Sequence, residues 1–261
     1  MTATDAVYVY GVVPSGTSPD VFANVAGIAP PSEVAMVDTD GAAAIVSRVP
    51  LADFGTDALE ANLKKPDWLE QKVHAHNAVL AAALEATTVL PFRFGTIYND
   101  EQHVRAMLAE RAELADTLTR LRGTVEYGVK VLLDSDVLRA RRSQAQPSDP
   151  SGGSGTEYLR RKQLEKQLDE EARTFASSCA EESHARLAAA SQEARANPAQ
   201  HPAVAGGQML LNGAYLVAAG QEQAFRTALE DLRNRFGDDG VTYELTGPWP
   251  PYNFVDEEAT Q

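Results

Sequence analysis

Near its C-terminal end the chain carries Gly247-Pro248-Trp249-Pro250-Pro251-Tyr252-Asn253-Phe254-Val255, three prolines and three aromatics in nine residues. Proline fixes φ, removes a backbone donor and drives the preceding residue into an extended conformation, so neither a regular helix nor a central strand runs through this segment. An extended tail bearing Trp249, Tyr252 and Phe254 exposes much apolar area unless it docks. Burying each ring is worth about 1.5–3 kcal/mol. The sequence therefore predicts a structural strap or a partner-binding peptide, and nothing in the segment is catalytic in type.

At 261 residues the chain has room for two domains, each able to bury a core. Its 23 Lys and Arg against 37 Asp and Glu give a formal charge of −14. Nucleic-acid affinity rests on neutralising phosphates, so this balance excludes a DNA or RNA binder, and anionic lipid head groups repel it. The single cysteine, Cys179, allows no internal disulfide and no cysteine-based metal cluster. Met1-Thr2-Ala3-Thr4-Asp5 has neither a basic start nor a hydrophobic run, and no stretch approaches the ~20 apolar residues of a membrane span. A soluble, cytoplasmic protein is expected.

The first half reads as mixed α and β. Val7-Tyr8-Val9-Tyr10-Gly11-Val12-Val13 is a buried strand, and the runs 33–38 and 42–49 form a hairpin about Asp40-Gly41. Leu69, Val73, His76, Leu80 and Leu84 recur at helical spacing after the Pro66-Asp67 entry. A strand is expected over 89–94, with Leu90, Phe92 and Phe94 on one face. Asn99-Asp100 then caps a helix running to about Leu121, closed by Gly123.

The second half restarts with a strand over 125–133. Residues 143–156, rich in Ser, Gly and Pro, are expected to form a mobile insertion. A long amphipathic helix is expected from Glu157 to Asn197, with Leu164, Leu168, Phe175, Cys179 and Leu187 on one face and a break near Ser177-Ser178. A strand over 209–217, a helix over 222–236 and a strand over 241–245 follow. The order β-α-β-α-β resembles a ferredoxin-like sheet with helices on one face. The implied domains are 1–122, 123–246 with its insertion at 143–156, and a tail at 247–261.

Candidate chemistry is sparse. His74 and His76 are two apart on a helix and point roughly 200° apart, so they cannot chelate one ion. His76 falls on the apolar stripe, as a core or interdomain histidine, and His74 faces away. Arg93, inside Val-Leu-Pro-Phe-Arg-Phe-Gly, must reach solvent, a salt-bridge partner or another protein. Cys179 sits on an apolar face as a small hydrophobe. The groups Arg139/Arg141/Arg142 and Arg160/Arg161/Lys162 are explained by helix termini and solubility, or by docking of an acidic partner. No nucleophile elbow, phosphate loop or dinucleotide fingerprint is present. No catalytic, cofactor-binding or metal residue is therefore assigned.

Three segments together carry a family resemblance: Tyr8-Val9-Tyr10-Gly11-Val12-Val13, Val89-Leu90-Pro91-Phe92-Arg93-Phe94-Gly95-Thr96, and the tail from Gly247 to Val255. With His76 ahead of Val79-Leu80, the chain resembles the gas vesicle protein family of types F and L (GvpF/GvpL) from about residue 6 to 255. The resemblance implies α+β architecture in two domains, the second a modified ferredoxin-like sheet, with the tail packing between them. It implies no catalysis. The role it implies is that of an accessory protein in assembling the buoyant gas vesicle, through contacts with the hydrophobic shell protein and other accessory proteins, in the vesicle and the cytoplasm. The alternative is an enzyme or small-ligand binder using an interdomain cleft lined by Arg93 and His76.

Overall fold

Strand β1 (Asp5–Pro14) is buried from Ala6 to Val13, which requires cover on both of its faces and explains its unbroken apolar run. In the computed structural model, which describes residues 4–144, 154–198 and 207–255, it is the central strand of the first of two sheets. Contacts divide the chain into two compact units, residues 1–125 with 248–261, and residues 126–247.

In the first unit, β2 (Val34–Asp38) and β3 (Ala42–Pro50) form the expected hairpin, and Gly41 takes the left-handed turn conformation at φ 99°. The sheet order is β2-β3-β1-β4, and β4 (Leu90–Pro91) and β5 (Ile97–Tyr98) both pair with β1. The antiparallel β1–β3 register shifts between Val9 and Gly11, a bulge at Tyr10. Gly11 cannot carry a side chain, because a Cβ there would sit 2.4 Å from the Leu90 carbonyl oxygen.

Two short helices, α1 (Leu51–Phe54) and α2 (Thr56–Leu63), precede α3 (Pro66–Ala86), which packs on β1 through His76, Val79, Leu80 and Ala83. Helices α4 (Glu101–Glu110) and α5 (Glu113–Arg120) complete the unit: α4 packs on β2 and β3, and α5 on β1. The Asp100 carboxylate caps α4 by accepting from the His103 N–H at 2.9 Å.

The second unit contains β6 (Thr124–Leu133), α6 (Ser135–Gln144), α7 (Ser154–Ala189), β7 (Glu193–Asn197), β8 (Gln208–Ala218), α8 (Glu222–Phe236) and β9 (Val241–Trp249). Its sheet order is β7-β8-β6-β9, with β7 antiparallel to β8. Helices α7 and α8 pack on β8 and on each other. Phe225, Leu229, Leu232 and Phe236 are the buried face of α8, as its spacing predicts.

Several expectations change. The helix expected over 100–121 is two helices, interrupted at Arg111, whose φ of −113° and ψ of 65° are not helical. The strand over 89–94 contracts to Leu90–Pro91, with one further main-chain bond beyond it, from the Phe92 N–H to the Tyr10 carbonyl at 2.9 Å. The long helix ends at Ala189 without a break at Ser177-Ser178, and residues 193–197 form an edge strand instead. Ser143 and Gln144 close α6 while residues 154–156 open α7. The rest of the expected insertion, 145–153, lies outside the described residues.

Candidate functional site

The polar centre of the first unit is built around His76, 2% exposed and presented to the sheet by α3. Tyr8 and Tyr10, two apart on β1, reach it from below. The Tyr8 hydroxyl lies 2.8 Å from His76 Nδ1 and accepts from the Gly95 N–H at 3.2 Å. The other ring nitrogen, Nε2, faces the Tyr252 hydroxyl at 3.4 Å. Tyr10 stacks on the imidazole at 5.7 Å between centroids, and Phe94 meets it edge-on at 5.8 Å.

A second relay completes the centre. The Ile28 N–H donates to the Tyr10 hydroxyl at 2.7 Å, Tyr10 donates to Ser47 Oγ at 3.0 Å, and Ser47 donates to the Glu33 carbonyl at 3.0 Å. Every hydroxyl in this chain of contacts both accepts and donates, which is what burial demands.

Burial disfavours the imidazolium and holds the His76 pKa down at about 4, so the ring is neutral near pH 7. Burial also pushes the Tyr8 and Tyr10 hydroxyls upward, so neither becomes a phenolate at ordinary pH. The arrangement resembles a proton relay in its parts, yet it is enclosed by aromatic rings and engages both ring nitrogens. Its chemistry is that of a cross-link tying α3, β1 and the tail together.

The tail docks at one end and not at the other. Phe254 and Val255 are buried, Pro250 and Pro251 with them, and the Arg120 guanidinium donates to the Phe254 carbonyl at 2.7 Å. Trp249, expected to be buried, is 43% exposed, and Tyr252 is 40% exposed. Gly247 to Trp249 continue β9 at the edge of its sheet, where a proline needs no ladder partner.

His74 is exposed on α3, and the Arg93 side chain is exposed while that of His76 is enclosed. Cys179 is buried in the second unit beside Ser183 and the Tyr243 hydroxyl, which lie 2.7 Å from one another. Burial raises its thiol pKa, the opposite of what a nucleophile needs.

The first basic group is used internally. Arg139 pairs with Asp169 at 2.7 Å, Arg141 with Asp239 at 3.3 Å, and Arg142 lies over the Phe175 ring at 5.4 Å. Of the second group, Lys162 is exposed, and the side chains of Arg160 and Arg161 lie outside the described residues. Among the described residues no group of three or more His, Cys, Asp or Glu side chains is placed to hold a metal ion, and no helix is long and apolar enough to cross a membrane.

Sequence reasoning placed His76 on the buried stripe but missed Tyr8, Tyr10 and Arg120 as partners. Alternation along β1 was the available signal for the two tyrosines. Nothing local marks Arg120.

The family model for the gas vesicle synthesis proteins GvpL/GvpF matches residues 6–256. The chain belongs to the GvpL/GvpF family. It is 32% identical to gas vesicle protein L of a Streptomyces species, over 81% of this chain and 79% of that protein. It is 27% identical to gas vesicle protein F1 of Halobacterium salinarum, over 97% and 94%. The fold is that of the crystal structure of GvpF from an Anabaena species, with a TM-score of 0.70 at 20% identity, over 97% of this chain and 96% of that one. GvpF from Microcystis aeruginosa gives 0.68, also at 20%, over 95% and 98%.

Proposed function

We propose that this GvpL/GvpF protein is a non-enzymatic accessory factor that assists gas vesicle assembly by binding the hydrophobic shell protein and other accessory proteins. The carrying observation is the family match over residues 6–256. The closed, doubly bonded state of His76 supports a structural role for the one histidine that had invited a catalytic reading.

The physical mechanism follows from charge. A body with a formal charge of −14 resists its own aggregation while an apolar surface on it covers a sticky subunit. Raising salt and neutralising acidic surface residues should therefore reduce the solubility of co-expressed shell protein. Unchanged solubility would count against the charged-chaperone version and favour a minor structural component of the wall.

We further read the second unit as a modified ferredoxin-like domain. The succession β6, helices, β7, β8, α8, β9 and the order β7-β8-β6-β9 support this. Domain limits near 122 and 246, with the tail as an internal strap, are supported by the assignment of residues 248–261 to the first unit and by the burial of Phe254.

The test is capture of shell protein and accessory proteins by the full chain and by a chain ending at Thr246, with circular dichroism reporting folding. Capture by the full chain is expected. No capture of any gas vesicle protein would overturn the reading, and loss of capture by a folded truncated chain would make the tail the docking peptide.

A further inference from the structure

Where β1 begins and β3 ends, the first unit holds a cavity of about 470 Å³, a size that takes small molecules. Pro30, Pro31, Val49 and Pro50 give it apolar walls, and the three prolines have φ fixed by their rings. The loop that carries Pro30 and Pro31 is clamped at Ile28. Its N–H donates to the Tyr10 hydroxyl at 2.7 Å, and its carbonyl accepts from Lys72 Nζ at 2.7 Å. The walls are therefore formed before any ligand arrives.

Four charged side chains line the same space: Lys72 from α3, Arg48 from β3, Asp5 from β1 and Asp53 from α1. Lys72 is half-buried, with the Phe54 and Trp68 rings each centred 6.0 Å from its Nζ. Its bond to the neutral Ile28 carbonyl uses one of three N–H donors. Among the described residues no carboxylate pairs with Lys72, and no cation pairs with Asp5 or Asp53. Arg48 and Asp5 are diagonal neighbours on one face of the β1–β3 pair, since Val7 lies opposite Arg48 and Pro50 opposite Asp5. The partner of Arg48 is Glu101 at 3.3 Å, in a pair largely exposed to water and therefore weak. The Leu51 N–H donates to the Thr4 carbonyl at 3.0 Å, which holds the start of α1, and Asp53 with it, against the start of β1.

This mixture of charges selects among occupants. An anion drawn to Lys72 and Arg48 also meets two carboxylates, and an amine drawn to Asp5 and Asp53 also meets two cations. An apolar ligand would desolvate all four without pairing any. A molecule with one group of each sign answers both pairs, and the proline and valine walls suit an aliphatic side chain on it. We propose that this cavity binds a zwitterionic small molecule of the α-amino-acid class with an aliphatic side chain. Its carboxylate meets Lys72 and Arg48, and its ammonium meets Asp5 and Asp53. The site is independent of the assembly reading above.

The probe is labelled L-leucine, in equilibrium dialysis against the full chain. Isocaproate, which is leucine without the ammonium, and isoamylamine, which is leucine without the carboxylate, serve as competitors. Saturable binding of L-leucine is expected, with each half-molecule weaker by about tenfold or more. The double variant Asp5→Asn, Asp53→Asn changes two exposed positions to isosteric amides, so folding is retained, and thermal denaturation verifies it. It should weaken L-leucine by about tenfold or more, and Lys72→Met should do the same. The Ser32 and Arg48 amide resonances of the wild-type chain should shift with occupancy.

No saturable binding of L-leucine up to about 10 mM overturns the proposal. Isocaproate or isoamylamine binding as tightly as L-leucine makes the site one for a single charge, and that overturns it too. Unchanged binding in the double variant, with unmoved Ser32 and Arg48 resonances, places leucine elsewhere and has the same result. None of these outcomes touches the assembly reading, which stands or falls on capture of gas vesicle proteins.

Discussion

The two units solve the same problem, a buried polar centre between helix and sheet, with different chemistry. The first uses a titratable group, His76, held by Tyr8 and facing Tyr252. The second uses hydroxyls, Ser183 and Tyr243, packed against Cys179 on α7. Both centres are satisfied near neutral pH. Only the first contains a group that acid converts into a buried cation, so the two cores should part company as pH falls.

The largest effect should come from the tail strap that only the first unit has. Phe254→Ala removes a fully buried ring and should cost about 3–5 kcal/mol, read as a lower urea midpoint. A loss below 1 kcal/mol would mean that the strap contributes little to its core.

The pH dependence comes next. The pKa of His76 lies near 4, below the ordinary histidine value of 6.5, so the unfolded chain takes up a proton first as pH falls. Its stabilising contribution is fully present above about pH 6.5 and is lost progressively toward pH 4, on the order of 3 kcal/mol in all. Urea titrations of wild type and His76→Phe at pH 7 and pH 4 isolate this term. The variant should start lower and lose less. Equal losses in both proteins would erase the contrast between the units.

Ser183→Ala should cost about 1–2 kcal/mol by depriving the Tyr243 hydroxyl of its nearest partner, and that cost should be the same at pH 5 and pH 7. A pH-dependent cost would tie this centre to a titrating neighbour such as His184, which bonds Tyr215 at 3.1 Å in the same unit. The smallest change is expected from Trp249→Ala. With the ring 43% exposed, thermal stability should shift by less than about 1 kcal/mol. A larger loss would show a docked ring and extend the strap to both of its ends.

Legibility in the sequence tracks how locally each feature is determined. Helix α8 could be read from Phe225, Leu229, Leu232 and Phe236 because one apolar stripe fixes it. The β2–β3 hairpin was legible from Asp40-Gly41, where the turn itself needs a left-handed residue. Residues Glu193-Ala194-Arg195-Ala196-Asn197 have helical composition, and pairing with β8 overrides it, an outcome no local signal carries. Helix α6 escaped notice because few of its residues are apolar: the buried Leu138 anchors it, while Arg139 and Arg141 pair with acidic residues distant in sequence. The stripe on α3 placed His76 inside, but Tyr8 lies 68 positions away and Tyr252 lies 176 away, so the centre they form was invisible.

The first unit is discontinuous along the chain: its core closes on Phe254, which follows the whole of residues 126–247. During synthesis the second unit therefore has all of its residues before the first unit does, because Phe254 is made after them. A chain ending between Gly247 and Asn253 would lack Phe254 and expose part of an unfinished apolar core. A protein whose proposed work is to keep another subunit from aggregating thus carries a core of its own that closes only once residue 254 has been made.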